Sequence, residues 1–204
     1  TRYFNLTPDL QESSKIFKTK YGLHDCFVFT FIGRIVKDKG IEELMDAYAR
    51  LSSEVENVRL VIVGWEEPLT DPISNHSQSI LKNNTGIVCT GFMDDIRPSL
   101  GASDCLILAS YREGFPNVVM QAACVNIPSI VSNINGCNEI IQDGSNGLVV
   151  EPKSADALYY AMKRLESDRG LLSDLAAKSR HSVVEKYDRE KFQKIILAEY
   201  QSLF

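Results

Sequence analysis

Six short runs of this chain are apolar almost without a break: Phe27–Ile32, Arg59–Val63, Gly86–Cys89, Cys105–Leu108, Ser129–Val131 and Gly147–Val150. A strand with one face in water alternates polar and apolar residues, whereas an unbroken run needs cover on both faces. Between the runs the period changes. Ile41, Leu44, Met45 and Tyr48 recur at helical spacing after the first run, and further helices are expected near Ser74–Lys82 and Asn117–Cys124. Strand–helix alternation of this kind predicts an α/β doubly wound parallel sheet. Past residue 153 only helical patterns remain. Leu158, Ala161, Met162 and Leu165 line one helix, and Phe192, Ile195, Ile196, Tyr200 and Leu203 line another. No internal repeat or flexible linker interrupts the chain.

At 204 residues the chain is long enough for one domain with a sizeable core. Its 22 Lys and Arg against 27 Asp and Glu leave a net charge of −5, which argues against a general nucleic-acid binder. No apolar run is long enough to span a bilayer, and no signal peptide is expected in this stretch. The start, Thr1-Arg2-Tyr3-Phe4, lacks an initiator Met and is expected to be a cut inside a longer protein. The five cysteines are scattered without a Cys-x-x-Cys pair, so they are expected to be reduced thiols packed as small hydrophobes. His24, His76 and His181 are isolated and give no support to catalysis or metal binding.

In a doubly wound sheet, ligands bind beyond the carboxyl ends of the strands. Three loops fall there. The first is Gly33-Arg34-Ile35-Val36-Lys37-Asp38-Lys39-Gly40, where glycines permit close backbone approach and Arg34 and Lys39 supply cationic donors suited to a diphosphate. It is not a P-loop, since Gly-x-x-x-x-Gly-Lys-Ser/Thr is absent. Taken alone, a turn carrying solvated charges is the slightly favoured reading, since basic loops are common. The second runs from Ser110 to Gln121, with Glu113-Gly114-Phe115-Pro116 turning abruptly into a helix. Pro116 suits a first helical turn, and the amides of Asn117 and Val118 then point out toward an anion. Gln121 falls one turn further on, while Glu113 alone could be only a helix-dipole partner. In the third loop, Asn133 to Glu139, Gly136 indicates a tight backbone path and Glu139 is favoured as a helix-start carboxylate over a ligand contact. Phe92, after the third strand, is a candidate wall for a base or an ordinary core aromatic.

Gly33-Arg34, Lys39-Gly40, Glu113-Gly-Phe-Pro and Ile140-Ile-Gln-Asp-Gly-Ser-Asn-Gly-Leu-Val, in this order, resemble the C-terminal, donor-binding domain of GT-B glycosyltransferases of family 4, from about Phe27 to the C-terminus. The resemblance implies a retaining transferase that moves a sugar from a UDP- or GDP-linked donor to a glycan or lipid-linked acceptor, without a metal ion or other cofactor. By that analogy Gly33, Arg34 and Lys39 hold the diphosphate, and the two cations neutralise it as it leaves. Glu113, the first acid of a Glu-x7-Glu motif, touches the donor sugar; the backbone of Gly114, Phe115, Pro116, Asn117 and Val118 holds phosphates. The motif's second acid is replaced by Gln121, which can bond a ribose hydroxyl but without charge assistance. A second departure is Asn126, where the family usually has Gly; Asn tolerates the left-handed backbone that such a turn needs.

The same resemblance divides the chain into an interdomain segment with a leading helix (1–23), a nucleotide-sugar-binding domain (24–185) and a C-terminal helix (186–204). By the same resemblance an N-terminal acceptor domain is expected to lie outside these residues, and the final helix is expected either to pack toward it or to complete the present core. The fragment alone is expected to bind donor with little turnover, and such acceptors place the parent enzyme in the cytoplasm or at the inner membrane face. Two other readings stand beside this one: a non-catalytic interaction module with a degenerate nucleotide pocket, and a mutase or epimerase on the same fold.

Overall fold

A computed structural model describes residues 4–67, 69–187 and 189–202. The six apolar runs become six strands: β1 (Phe27–Ile32), β2 (Val58–Val63), β3 (Ile87–Gly91), β4 (Cys105–Leu108), β5 (Ser129–Ser132) and β6 (Gly147–Val150). All neighbours pair in parallel, in the order β3-β2-β1-β4-β5-β6. This is the doubly wound arrangement expected from the unbroken apolar runs. Strand order reverses between β1 and β4, so the crevice beyond their carboxyl ends is the natural ligand position.

Both faces of β1 are covered, which explains its lack of alternation. Phe27, Phe29 and Phe31 enter one core with α2 (Ile41–Glu54) and α7 (Ala155–Ser167), whereas Val28 enters another with Phe17 of α1 (Pro8–Tyr21). A third cluster joins Leu106 and Leu108 of β4 to α5 (Asn117–Cys124) and to Val183 of α8 (Arg169–Tyr187). Each fully buried Phe stabilises by about 1.5–3 kcal/mol relative to exposure. In α2, Ile41, Leu44, Met45, Tyr48 and Leu51 form the buried stripe. The Tyr48 hydroxyl lies 3.1 Å from the Val58 carbonyl and 2.8 Å from that of Gly86, which satisfies its buried oxygen and ties α2 to the entry of β2 and β3.

Four strand boundaries depart from expectation. β2 begins at Val58, β3 runs from Ile87 to Gly91 and β5 continues to Ser132, because neighbouring strands supply backbone partners that the local pattern does not reveal; β3 reaches Gly91 through a register shift opposite Ile62 and Val63. Short helices α3 (Asn75–Asn83), α4 (Arg97–Gly101) and α6 (Cys137–Ile140) follow β2, β3 and β5, and Ser74 caps α3 by accepting from the amide of Ser77.

The leading helix is held by the domain itself, through Leu10, Ser14 and Phe17 and contacts with α4. The last helix, α9 (Arg189–Ser202), behaves differently: Leu197 and Tyr200 are 59% and 62% exposed, so these positions do not complete the core. The side chains of Phe192 and Ile195, and residues Leu203 and Thr1–Tyr3, lie outside the described residues. Among the described residues no helix is long and apolar enough to cross a membrane.

Candidate functional site

The strand ends place the three loops side by side. After β1 the chain passes through a 3-10 turn (Lys37–Lys39) to Gly40, whose φ of 69° opens α2. A Cβ on Gly40 would come 2.1 Å from the Ala109 carbonyl oxygen, so glycine is what lets this loop lie against the end of β4. The Tyr111 amide then donates to the Asp38 carbonyl at 2.8 Å. A similar junction joins the second and third loops: Gly136 has φ 80°, and a Cβ there would meet the Gly114 carbonyl oxygen at 2.4 Å.

These junctions bring Lys39 and Glu113 together although 74 residues separate them; Lys39 Nζ lies 2.6 Å from Glu113 Oε1, with 20% and 16% of the two side chains exposed. The cation and the acid singled out on different loops are therefore each other's partner. Arg34 does not join them. Its Nη1 pairs with Glu67 Oε2 at 2.5 Å, on the loop after β2. That loop is bound tightly to the first: Ile35 N donates to Trp65 O at 2.8 Å and Asp38 N to Asp71 Oδ2 at 2.7 Å. Glu42 accepts from the amide and hydroxyl of Ser74 and from the Ser77 hydroxyl. Burial pushes the Glu42 carboxyl up, but these donors outweigh it and hold it below the usual range. A cleft of about 430 Å³ opens beside the paired loops, lined by Arg34, Lys37, Asp38, Asp71, Tyr111 and Arg112 among others.

Pro116 is the residue before α5 rather than part of its first turn; it stands at the N-cap with φ −76° and ψ 97°, outside the helical region. Its carbonyl accepts from the Val119 amide at 3.1 Å. The first amides of a helix have no carbonyl a turn earlier, so those of Asn117 and Val118 face the loop rather than the helix. Gly114 is exposed, and Gln121 sits half-buried one turn along α5. Phe115 is braced by Tyr187 at the end of α8, ring centroids 5.2 Å apart, and the Tyr187 hydroxyl donates to the Glu139 carbonyl at 2.9 Å. Glu139 accepts from the Gly136 amide at 3.2 Å, the role of a helix-start carboxylate. Burial, with Glu113 adding to it, pushes the Cys137 thiol up to about 12, so it remains protonated and packs as a small hydrophobe. Asn126 adopts φ 61°, the left-handed conformation expected of it after α5.

Phe92 is not a core aromatic. It is 64% exposed at the end of β3 and meets Trp65, 48% exposed at the end of β2, at a ring-centroid distance of 5.5 Å. Sequence reading missed Trp65, Glu67 and Tyr187. The signal for Trp65 was present: it follows Gly64 at a strand end, as Arg34 follows Gly33 and Phe92 follows Gly91. Nothing local marks Glu67 or Tyr187. Among the described residues, no group of three or more His, Cys, Asp or Glu side chains is placed to hold a metal ion.

Comparison with known proteins agrees with this architecture. The chain is 29% identical over 182 residues to the capsular polysaccharide biosynthesis glycosyltransferase CapM of Staphylococcus aureus, covering 89% of this chain and 47% of that protein. It is 29% identical over 164 residues to an Escherichia coli UDP-Gal:alpha-D-GlcNAc-diphosphoundecaprenol alpha-1,3-galactosyltransferase, covering 79% and 42%. The chain thus spans less than half the length of these relatives. Among solved structures, the C-terminal domain of the glycosyl transferase group 1 family protein LpcC from Francisella tularensis superposes with a TM-score of 0.79 at 25% identity, covering 91% of this chain and 96% of that one. Anabaena Alr3699/HepE in complex with UDP-glucose shares the fold, with a TM-score of 0.83 at 20% identity, covering 98% of this chain and 54% of that one. The family model for glycosyl transferases group 1 matches residues 13–182, and the chain belongs to that family.

Proposed function

We propose that this chain is the donor-binding half of a retaining, family 4 GT-B glycosyltransferase, which takes a sugar from a nucleoside-diphosphate sugar and delivers it to a glycan or lipid-linked acceptor held by an N-terminal half. The observation that carries the reading is the convergence of Lys39 and Glu113, 2.6 Å apart beside the start of α5, at the switch point of the sheet. A diphosphate over Gly33 meets two cations and the free amides of Asn117 and Val118. Arg34 and Lys39 stabilise the charge that grows on the leaving diphosphate, the work a metal ion does elsewhere, so the reading calls for neither metal nor other cofactor. Glu113 faces the sugar and Gln121 the ribose, through a neutral hydrogen bond. Binding of the nucleotide is expected from this half alone. Transfer requires both halves, because the reacting groups must be held in line, and the relatives' greater length accords with a second half.

Calorimetric titration with UDP, GDP and ADP tests the reading. One nucleotide should bind, and Arg34→Ala and Lys39→Ala should each weaken it. Unchanged affinity in both variants would remove the phosphate role. The replacement of the expected second acid by Gln121 favours a second reading, an interaction module with a vestigial pocket; that reading gains if the full-length protein also binds no nucleotide.

A further inference from the structure

Three adjacent strands end in the same way, with a glycine followed by a large side chain: Gly33-Arg34 after β1, Gly64-Trp65 after β2 and Gly91-Phe92 after β3. Hydrogen bonds hold these ends in one row. Gly33 N donates to Val63 O at 2.9 Å, Ile35 N to Trp65 O at 2.8 Å and Gly64 N to Gly91 O at 2.9 Å. Gly64 itself could carry no side chain, because a Cβ would lie 1.8 Å from the Gly33 carbonyl oxygen. The row therefore runs from a guanidinium to an exposed indole to an exposed phenyl ring, with spacing set by the strands at about 5 Å per step. Phe92 meets Trp65 edge-on, at 69° between ring planes, which braces the indole while leaving about half of it open to solvent.

Exposed large aromatics that support one another at a strand end are unusual on a soluble surface unless something covers them. The flanking residues are Glu66 and Glu67, so the rings form a small apolar platform within a charged rim. A planar aromatic ligand can stack on the open face of the indole while the phenyl ring, at 69° to it, holds the indole from the edge. We propose that Trp65 is the stacking platform for the nucleobase of the donor, with Phe92 as its positioning residue. This deepens the donor-site reading and rests on it. A diphosphate held at the end of β1 puts its base one to two strands along the row, about 5–10 Å away, over Trp65. Stacking on an aromatic face tolerates any base, so Trp65 sets affinity, and base-edge contacts set the choice among nucleotides.

The chain contains a single tryptophan, so its fluorescence reports on this position alone. Titration of the 204-residue chain with UDP, GDP and ADP should change Trp65 emission with the same midpoint that calorimetry gives. Trp65→Ala should weaken the nucleotide that binds by about 5- to 150-fold, the range for removing one base–aromatic stack. Trp65→Phe, which keeps a ring, should retain most of the affinity, and both variants should melt close to wild type. Phe92→Leu should shift and broaden the emission and weaken binding less than Trp65→Ala. If nucleotide binds by calorimetry and Trp65→Ala binds equally well, the stacking role is overturned while the donor-site reading stands. If the unmodified chain binds none of the three nucleotides, both fall together.

Discussion

Replacing Glu113 with Gln should make nucleotide binding tighter, although Glu113 belongs to the donor site. Without ligand, the Lys39 ammonium is already engaged by Glu113 at 2.6 Å, and both side chains are about four-fifths covered. A phosphate oxygen must draw Lys39 away from that carboxylate or share it, so part of the favourable phosphate contact is spent on the existing pair. A hydrogen bond between charged groups contributes about 1.5–3 kcal/mol and a neutral one about 0.5–1.5 kcal/mol. Glu113→Gln keeps shape and acceptor but weakens the competing bond by about 1–1.5 kcal/mol, which predicts a Kd about 5- to 12-fold lower for UDP or GDP. Lys39→Ala has the opposite sign. It removes the phosphate contact and leaves Glu113 as an unpaired, mostly covered carboxylate facing the ligand, so binding should weaken about 10- to 150-fold. Isothermal titration of wild type, each variant and the double variant at two salt concentrations measures all four corners, and in the double variant the effects should fail to add. The gain in Glu113→Gln should shrink as salt rises. Equal or weaker nucleotide binding by Glu113→Gln would show that Glu113 does not compete for Lys39.

Three further outcomes follow from other parts of the site. Gly136→Ala places a Cβ 2.4 Å from the Gly114 carbonyl at φ 80° and should destabilise by about 1–3 kcal/mol, lowering Tm in a calorimetric scan by about 2–4 °C per kcal/mol and weakening nucleotide binding. Asn126→Gly should be neutral or slightly stabilising whereas Asn126→Ala should cost about 1 kcal/mol, because φ 61° disfavours a Cβ without Asn's local hydrogen bonding; denaturant midpoints distinguish the two. Glu42 is held below its ordinary value, so its stabilisation is complete above the unfolded Glu value of about 4.3 and is lost as pH falls through the lower folded value. Glu42→Gln should flatten the acid limb of a stability-versus-pH curve, and an unchanged limb would remove Glu42 as the anchor of the loop after β2.

The sequence by itself determined what is local. Unbroken apolar runs required a sheet covered on both faces, and six of them became six strands; the span Asn117–Cys124 was legible because Pro116 and the left-handed Asn126 bracket it. The ordered motifs identified the loops at the strand ends. Only the tertiary structure decided who meets whom across them. Lys39 and Glu113 looked like separate ligands for phosphate and sugar, and the strand order β2-β1-β4 made them partners. Glu67, which takes Arg34, carries no local pattern that sets it apart from other loop residues, and Trp65 shares its strand-end glycine with Arg34 and Phe92, but only the pairing of β2 with β3 stands it against Phe92. Register explains this division. Period and capping are properties of consecutive residues, whereas the position of a side chain at a strand end depends on which strand pairs beside it and where that pairing stops.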